Sequence, residues 1–274
     1  MILSDLIRKA YRHNQVITAY VYGDFGFGKT SYALWTAYEV LGSWDKVLDH
    51  LFFTPIDAIK VLDRAIRKRE RLKIIIMDDA GLWLDRLTWW EADKIAFMQF
   101  FNLIRSVASG VIFTTPSQEL PRQIARKCFF RIRVTPVPRE RVVELMGRSG
   151  YESLVARTKE FGLKPLFCQA TGYKLKLLPT FFEYVKKEFY DVYPYHYPIF
   201  EAYEEKRRGA LRSYFDKWRE QATPSSDRNR LREIASEMLE SGRSRREIIN
   251  FLRQKGIPRS TAYRWIKELT KLSA

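Results

Sequence analysis

The sequence predicts an α/β protein with a mainly parallel sheet covered by helices, a small α+β extension behind it, and three helices at the carboxyl end. Three observations lead there. Over residues 1–135, short β-branched or aromatic runs alternate with longer amphipathic stretches, which is the pattern of successive strand–helix–strand units. A glycine-rich segment ending in Lys29 and Thr30 falls at the first strand-to-helix junction. The last 48 residues are more basic than the rest and carry a helical apolar period.

Taken in order, residues 16–22 are β-branched and aromatic and stop at Gly23, so they read as a strand, and 29–41 as the helix that follows. Residues 51–54 predict a second strand, 56–71 a second helix, and 72–77 a buried strand that runs into Asp78 and Asp79. A helix over 91–109, a strand over 111–115, a helix over 119–127 and a strand over 129–134 complete the core. The extension, 136–220, contains a predicted strand at 173–178 and a predicted helix at 180–190. Its tyrosines at 190–198, interleaved with Lys174, Lys176, Lys186 and Lys187, have two readings: stacking on single-stranded bases, or packing a subdomain or subunit contact. A polar break at 221–226, containing Pro224, reads as a linker before the last domain, 227–274.

Composition narrows the function. Lys and Arg number 48 against 32 Asp and Glu, a formal net charge of +16 over 274 residues, so a polyanionic partner is expected. At 46% hydrophobic and 15% aromatic, the chain is not a disordered basic tail. Cys128 and Cys168 stand far apart, and His13, His50 and His196 are scattered, which argues against a zinc site or a disulfide framework and suits a reducing cytoplasm. Neither a signal-peptide pattern nor an apolar run of about 18 residues is present, so a soluble protein of the cell or host-cell cytoplasm, with no membrane partner, is expected.

Gly23, Asp24, Phe25, Gly26, Phe27, Gly28, Lys29 and Thr30 fit G-x-x-x-x-G-K-[ST] between a strand and a helix. In that pattern backbone N–H groups turn inward around phosphates, the lysine reaches the β/γ oxygens, and the threonine hydroxyl serves Mg²⁺. Ser31 follows in the first helical turn, whose dipole favours the same anion. ATP and Mg²⁺ are thus the predicted cofactors. Asp78 is the predicted organiser of the metal shell and Asp79 the predicted general base for the attacking water. If the 111–115 strand lies beside the one bearing Asp78, Thr115 or Thr114 is placed to sense the γ-phosphate, and Thr115 is the residue assigned.

These motifs, the glycine loop, the Asp78–Asp79 pair and the Thr114–Thr115 strand end, resemble P-loop ATPases with an additional catalytic strand, in particular AAA+ ATPases of the DnaA and DnaC type, over about residues 1–135. An Asp-Asp pair agrees with DnaA-like members, whereas many relatives carry Asp-Glu there. The aromatic segment after the core also resembles DnaA-like and packaging-type ATPases of viruses and plasmids of thermophilic crenarchaea. The resemblance implies a homo-oligomeric ring or filament in which an arginine of one subunit completes the site of the next. Arg105, Arg122 and Arg126 are the candidates, with Arg105 assigned.

The tail, 227–274, holds 12 Lys and Arg against 6 Asp and Glu. Leu231, Ile234, Ala235, Met238 and Leu239 form one helical face, and Ser244 and Glu247 have capping-box spacing for a second helix. Gly256 and Pro258 make a compact turn before a third. That helix turns Ala262, Leu269 and either Trp265 or Ile266 inward, leaving Arg259, Ser260, Tyr263, Arg264 and Lys267 outside for a major groove. Residues 257–266 resemble the recognition helix of the helix-turn-helix domains of DNA invertases and resolvases. The resemblance implies base contact by Ser260 and Arg264, and a structural or backbone-contacting role for Thr261 and Trp265.

Together these features predict an ATP-hydrolysing protein that couples nucleotide state to assembly or remodelling on double-stranded DNA. Replication initiation or helicase loading stands first, alongside a helicase or another replication or recombination protein; transposition, partition and packaging follow. The alternative is a nucleotide-gated helix-turn-helix transcription regulator.

Overall fold

The computed structural model describes residues 1–80, 101, 103–116, 127–177, 183–222 and 226–272. Seven strands make one sheet: β1 (Ile17–Tyr22), β2 (Leu51–Phe52), β3 (Ile75–Met77), β4 (Gly110–Thr115), β5 (Phe130–Val137), β6 (Phe167–Leu177) and β7 (Glu183–Pro194). Their order is β2-β3-β4-β1-β5-β6-β7, with the first five parallel and the last two antiparallel additions at the β5 edge. β4 lies between β1 and β3, pairing Thr114 with Val21 and Ile112 with Ile76, as the sequence required for a threonine near Asp78.

Both faces of the central strands are covered, which is why β1 and β4 read as nearly unbroken apolar runs. On one side α1 (Ile2–Arg12) and α2 (Lys29–Leu41) pack Ile7, Leu34 and Trp35 over Ala19, Val21 and Ile132. On the other, α4 (Pro55–Lys68) sets Ala58, Leu62 and Ala65 against Tyr20, Ile75 and Phe113. The short α3 (Trp44–Asp49) follows α2. Thr54 caps α4, its hydroxyl accepting from the Asp57 N–H at 3.2 Å, and Pro55 occupies the first turn, where its missing N–H costs nothing.

Several local expectations are corrected. The helix expected at 180–190 is strand over its described part, because Phe189, Asp191 and Tyr193 alternate inward with period two and β6 supplies the ladder; the Lys186–Glu188 charge run disguises this in the sequence. The 72–77 strand shortens to Ile75–Met77, with only a single bridge from Leu72 to Ala108. The carboxyl end of the helix expected at 91–109 is a 3₁₀ turn, Ile104–Ser106; most of the rest, and nearly all of the helix expected at 119–127, lies outside the described residues. Helices α1, α3, α5 (Arg139–Glu160, broken at Gly147) and α6 (Phe200–Ala222) are additions to the expected set. The extension therefore contributes two strands to the main sheet.

The chain divides into compact units Met1–Arg208 and Gly209–Ala274, a division that falls inside α6. In the second unit α7 (Ser226–Glu240), α8 (Arg245–Gln254) and α9 (Arg259–Leu272) enclose a core of Ala235, Ile248, Leu252, Ala262, Trp265 and Ile266. Ser244 and Glu247 form the expected capping box, and Gly256 takes the left-handed φ of 84° at the α8–α9 turn. Among the described residues no helix is long and apolar enough to cross a membrane.

Candidate functional site

The carboxyl ends of β1, β3 and β4 converge on one site. After Tyr22 the chain turns at Gly23, where an added Cβ would lie 2.8 Å from the Val134 carbonyl oxygen. Gly26 and Gly28 adopt φ of 77° and 82°, conformations that an L side chain resists. Gly28 precedes α2 without a side-chain cap, so the first-turn N–H groups are available to an anion. Lys29 Nζ donates to the carbonyls of Gly23 (2.9 Å) and Asp24 (2.8 Å), folding the ammonium over the loop. Burial lowers its pKa, while Asp79, Asp78 and Asp24 raise it.

Asp78, at the tip of β3, is fully buried. Thr30 Oγ1 donates toward it at 3.1 Å, Tyr203 OH donates to Oδ2 at 2.7 Å, and Thr114 Oγ1 donates to Oδ1. Burial raises its pKa, Asp79 adds to the rise, and the three hydroxyls oppose it. Asp79 has φ of 50°, a left-handed value uncommon for a residue other than glycine, and its N–H donates to Thr114 Oγ1 at 3.0 Å. Thr114 thus touches both aspartates, holding the carboxyl-terminal end of β3 to that of β4. Thr115, the threonine assigned from sequence to sense the γ-phosphate, is the next residue along β4 and is buried.

Two further groups on this site, Tyr203 and Arg207, come from α6. Arg207 Nε lies 2.9 Å from Asp79 Oδ2, both side chains being about one-third exposed (38% and 32%). No local motif marks either residue; their only signal is a helical i, i+4 spacing in a charged stretch. Removing only the Tyr203 hydroxyl, with Tyr203→Phe, is expected to destabilise the protein by about 1.5–3 kcal/mol, since it strips a donor from a buried carboxylate. A chemical denaturation midpoint with unchanged slope checks it; an unaltered midpoint would show that the bond contributes nothing.

The end of β7 and the segment after it brace the loop from behind. Tyr193 OH donates to the Gly28 carbonyl at 3.1 Å, Ser31 Oγ to the Tyr195 carbonyl at 2.5 Å, and Trp35 Nε1 to the His196 carbonyl at 3.0 Å. A Cβ on Gly28 would stand 3.0 Å from Cys168 Sγ. Burial pushes that thiol's pKa up to about 12, and Cys168 packs as a small apolar side chain in the core. A cavity of about 710 Å³ opens over Lys29 and Thr30 between Arg207 and Tyr195, and Phe25, 84% exposed, stands at its edge.

Arg105 lies elsewhere. It sits before β4, its Nε donating to the Asn14 carbonyl at 3.2 Å near the start of β1, at the opposite end of the strands from Asp78. Arg122 and Arg126 lie outside the described residues. In the second unit, Arg259, Ser260, Tyr263, Arg264 and Lys267 are exposed on α9 and Thr261 is half-buried; Arg259 approaches the Tyr263 ring at 5.6 Å.

Glycine loop, strand order and buried carboxylate place the first unit in the class of mixed α/β folds with a mainly parallel sheet, its candidate site at the carboxyl ends of the strands. Among known proteins, the chain is 42% identical over 132 residues to "Uncharacterized protein B-251" of Sulfolobus spindle-shape virus 1, a match covering 45% of this chain and 51% of that protein. It is 29% identical over 119 residues to "Uncharacterized protein ORF286" of Acidianus two-tailed virus, covering 42% of each. The chain thus spans about half the length of these archaeal viral relatives, or less. No family model matches. Among solved structures, the genome packaging NTPase B204 of Sulfolobus turreted icosahedral virus 2, in complex with AMPPCP, aligns with 11% identity and a TM-score of 0.34, covering 64% of this chain and 98% of that one; its complex with AMP aligns with 10% identity at the same score and coverage.

Proposed function

We propose that the protein binds and hydrolyses ATP and uses the nucleotide state to assemble on, or remodel, double-stranded DNA. The observation that carries the ATPase reading is the Thr30–Asp78–Thr114 cluster beside Lys29 and the glycine loop. Each part has a task. Backbone N–H groups of the loop and of the start of α2 hold phosphate oxygens, Lys29 exchanges its carbonyl acceptors for β/γ oxygens, and Asp79 takes the proton of the attacking water.

Magnesium fits this donor set. A hydroxyl and a buried carboxylate 3.1 Å apart, with nucleotide phosphates and water completing the shell, suit a hard cation that keeps much of its hydration. Thr30 and Asp78 would hold it, and its charge would neutralise the phosphates. Its attraction would also offset the cost of burying ionised Asp78.

The second unit supports the DNA half of the reading. Its three helices leave a basic face on α9, and we assign Arg259, Ser260, Tyr263, Arg264 and Lys267 to groove contact, with Thr261 beside them. The narrower DnaA/DnaC-type and helix-turn-helix assignments belong to this proposal. So do a homo-oligomeric ring or filament, a helicase or recombination partner, and a setting in host cytoplasm during replication initiation, helicase loading or packaging. Arg105, at the far end of the strands from its own site, is assigned to the site of a neighbouring copy.

Arg264→Ala in the full chain is expected to cost about 1–3 kcal/mol of specific duplex binding and to relax the preferred sequence, with ATP turnover intact. A footprint of the bound DNA, with and without ATP, defines the site to be scored. Undiminished sequence preference in the variant would remove α9 from the groove.

A further inference from the structure

The sheet has a second surface that the nucleotide site does not use. Along β1, β5, β6 and β7, Val21, Ile132, Ala170 and Phe189 face the helix-covered core. Their alternate neighbours face the other way, and the pairing register aligns them in two rows: Tyr20, Arg131, Tyr173 and Lys187, then Tyr22, Arg133, Thr171 and Tyr190. Independent contacts agree with this placement. The Tyr20 and Tyr22 rings are 5.8 Å apart, the Arg131 guanidinium is 5.7 Å from the Tyr20 ring, and Lys187 Nζ is 3.6 Å from the Tyr190 centroid. Burial raises the Tyr22 phenol, Tyr173 adds to the rise, and Arg133 and Arg131 oppose it, so these four groups share one neighbourhood.

Arg133 and Lys187 are exposed, while Tyr22, Arg131, Tyr173 and Tyr190 are half-buried. Among the described residues none of the three cations is in an ion pair, and the nearby Glu188 is 3.7 Å from Lys186 instead. Among the described residues the buried Arg131 Nε has no hydrogen-bond acceptor, so no protein oxygen neutralises that guanidinium there. Among the described residues the face therefore combines cations outside any ion pair with half-buried aromatic rings.

We propose that this face of β5, β6 and β7 binds single-stranded nucleic acid, with phosphates on Arg131, Arg133 and Lys187 and bases stacked on Tyr173 and Tyr190. Charge alone would suit any nucleic acid. The rings select an unpaired strand, because a duplex hides the base faces that an aromatic platform stacks on. Rows two residues apart along a strand are separated by about 6.6–6.8 Å, room for successive splayed bases. This surface belongs to the ATPase unit, whereas the duplex-contacting face is assigned to α9. Neither the P-loop reading nor the α9 reading is needed for it.

The test uses the full chain carrying Arg259→Ala, Arg264→Ala and Lys267→Ala, so that the basic face of α9 is removed, and labelled oligothymidylate and oligouridylate of about 16 nucleotides. Anisotropy titrations should show binding that weakens with salt. Arg131→Ala with Arg133→Ala should weaken it by about tenfold or more and flatten the salt dependence. Tyr173→Ala should weaken binding by about tenfold, and Tyr173→Phe, which keeps the ring, should restore it. The stronger of the two oligonucleotides identifies DNA or RNA as the source of the strand. Photocrosslinking of a halogenated oligonucleotide to the otherwise unaltered chain should label peptides of β5, β6 and β7, a readout independent of how the variants fold. Crosslinks confined to α7–α9 would overturn the proposal. So would undiminished binding by the arginine pair, or a change of oligomeric state in that pair with oligonucleotide affinity unchanged, which would make the face a contact between copies.

Discussion

Lys29→Ala is expected to lower ATP turnover by roughly 10²-fold or more, the scale of losing one preorganised charge on a developing transition state, and to weaken nucleotide binding as well. The reason lies in the position of the ammonium. Its two acceptors are the Gly23 and Asp24 carbonyls of the loop itself, so Lys29 rests above the hollow where phosphates would be held. Burial lowers its pKa, and Asp79, Asp78 and Asp24 oppose that shift. Alanine keeps α2 intact, since it is the best helix former, and removes only the charge and its reach. Measured turnover and nucleotide affinity, with a thermal melt to confirm folding, decide the matter. Turnover equal to wild type would sink the catalytic assignment of the loop.

Asp79→Asn should separate the two functions that Lys29→Ala removes together. Loss of a general base is expected to reduce kcat by roughly 10²–10⁴-fold, while ATP binding stays near wild type and the protein remains folded. The structure favours this substitution because Asp79 has a φ of 50°, and asparagine is among the side chains that tolerate left-handed backbone best. The substituted amide would still offer an oxygen to Arg207 Nε, and the backbone N–H bond to Thr114 would persist. Single-turnover kinetics with bound nucleotide is the check. A variant that hydrolyses at the wild-type rate would move the base elsewhere; one that fails to bind ATP would show that Asp79 acts in binding.

Some of the site is legible because its chemistry is local in the chain. Gly23 to Thr30 occupy consecutive positions, and their pattern follows from what a backbone cradle for phosphate demands: glycine where φ is positive, a cation beside it, a hydroxyl one residue on. Asp78 and Asp79 follow from a similar rule, since two acids ending an apolar strand need a compensating partner. The α8 capping box and the Gly256 turn are equally local. Where sequence reasoning fails, the deciding contact is distant. The strand Glu183–Pro194 reads as helix in part because the partner that stabilises it, β6, is visible only in the sheet. That the Thr114 hydroxyl meets Asp78 depends on how β4 lies beside β3, which the sheet alone decides.

The sequence by itself determined the glycine loop between strand and helix, the acidic pair, the parallel core and the basic three-helix tail, because each rests on neighbours within a turn or two of chain and on the periodicity of burial. Only the tertiary structure decided that α6 returns Tyr203 and Arg207 to Asp78 and Asp79 across more than a hundred residues of chain. It alone set the tyrosines and cations of β1, β5, β6 and β7 in register on one face. Such contacts carry no local signal. They form because burying an apolar face and satisfying a buried carboxylate favour whichever distant segment the sheet order brings alongside.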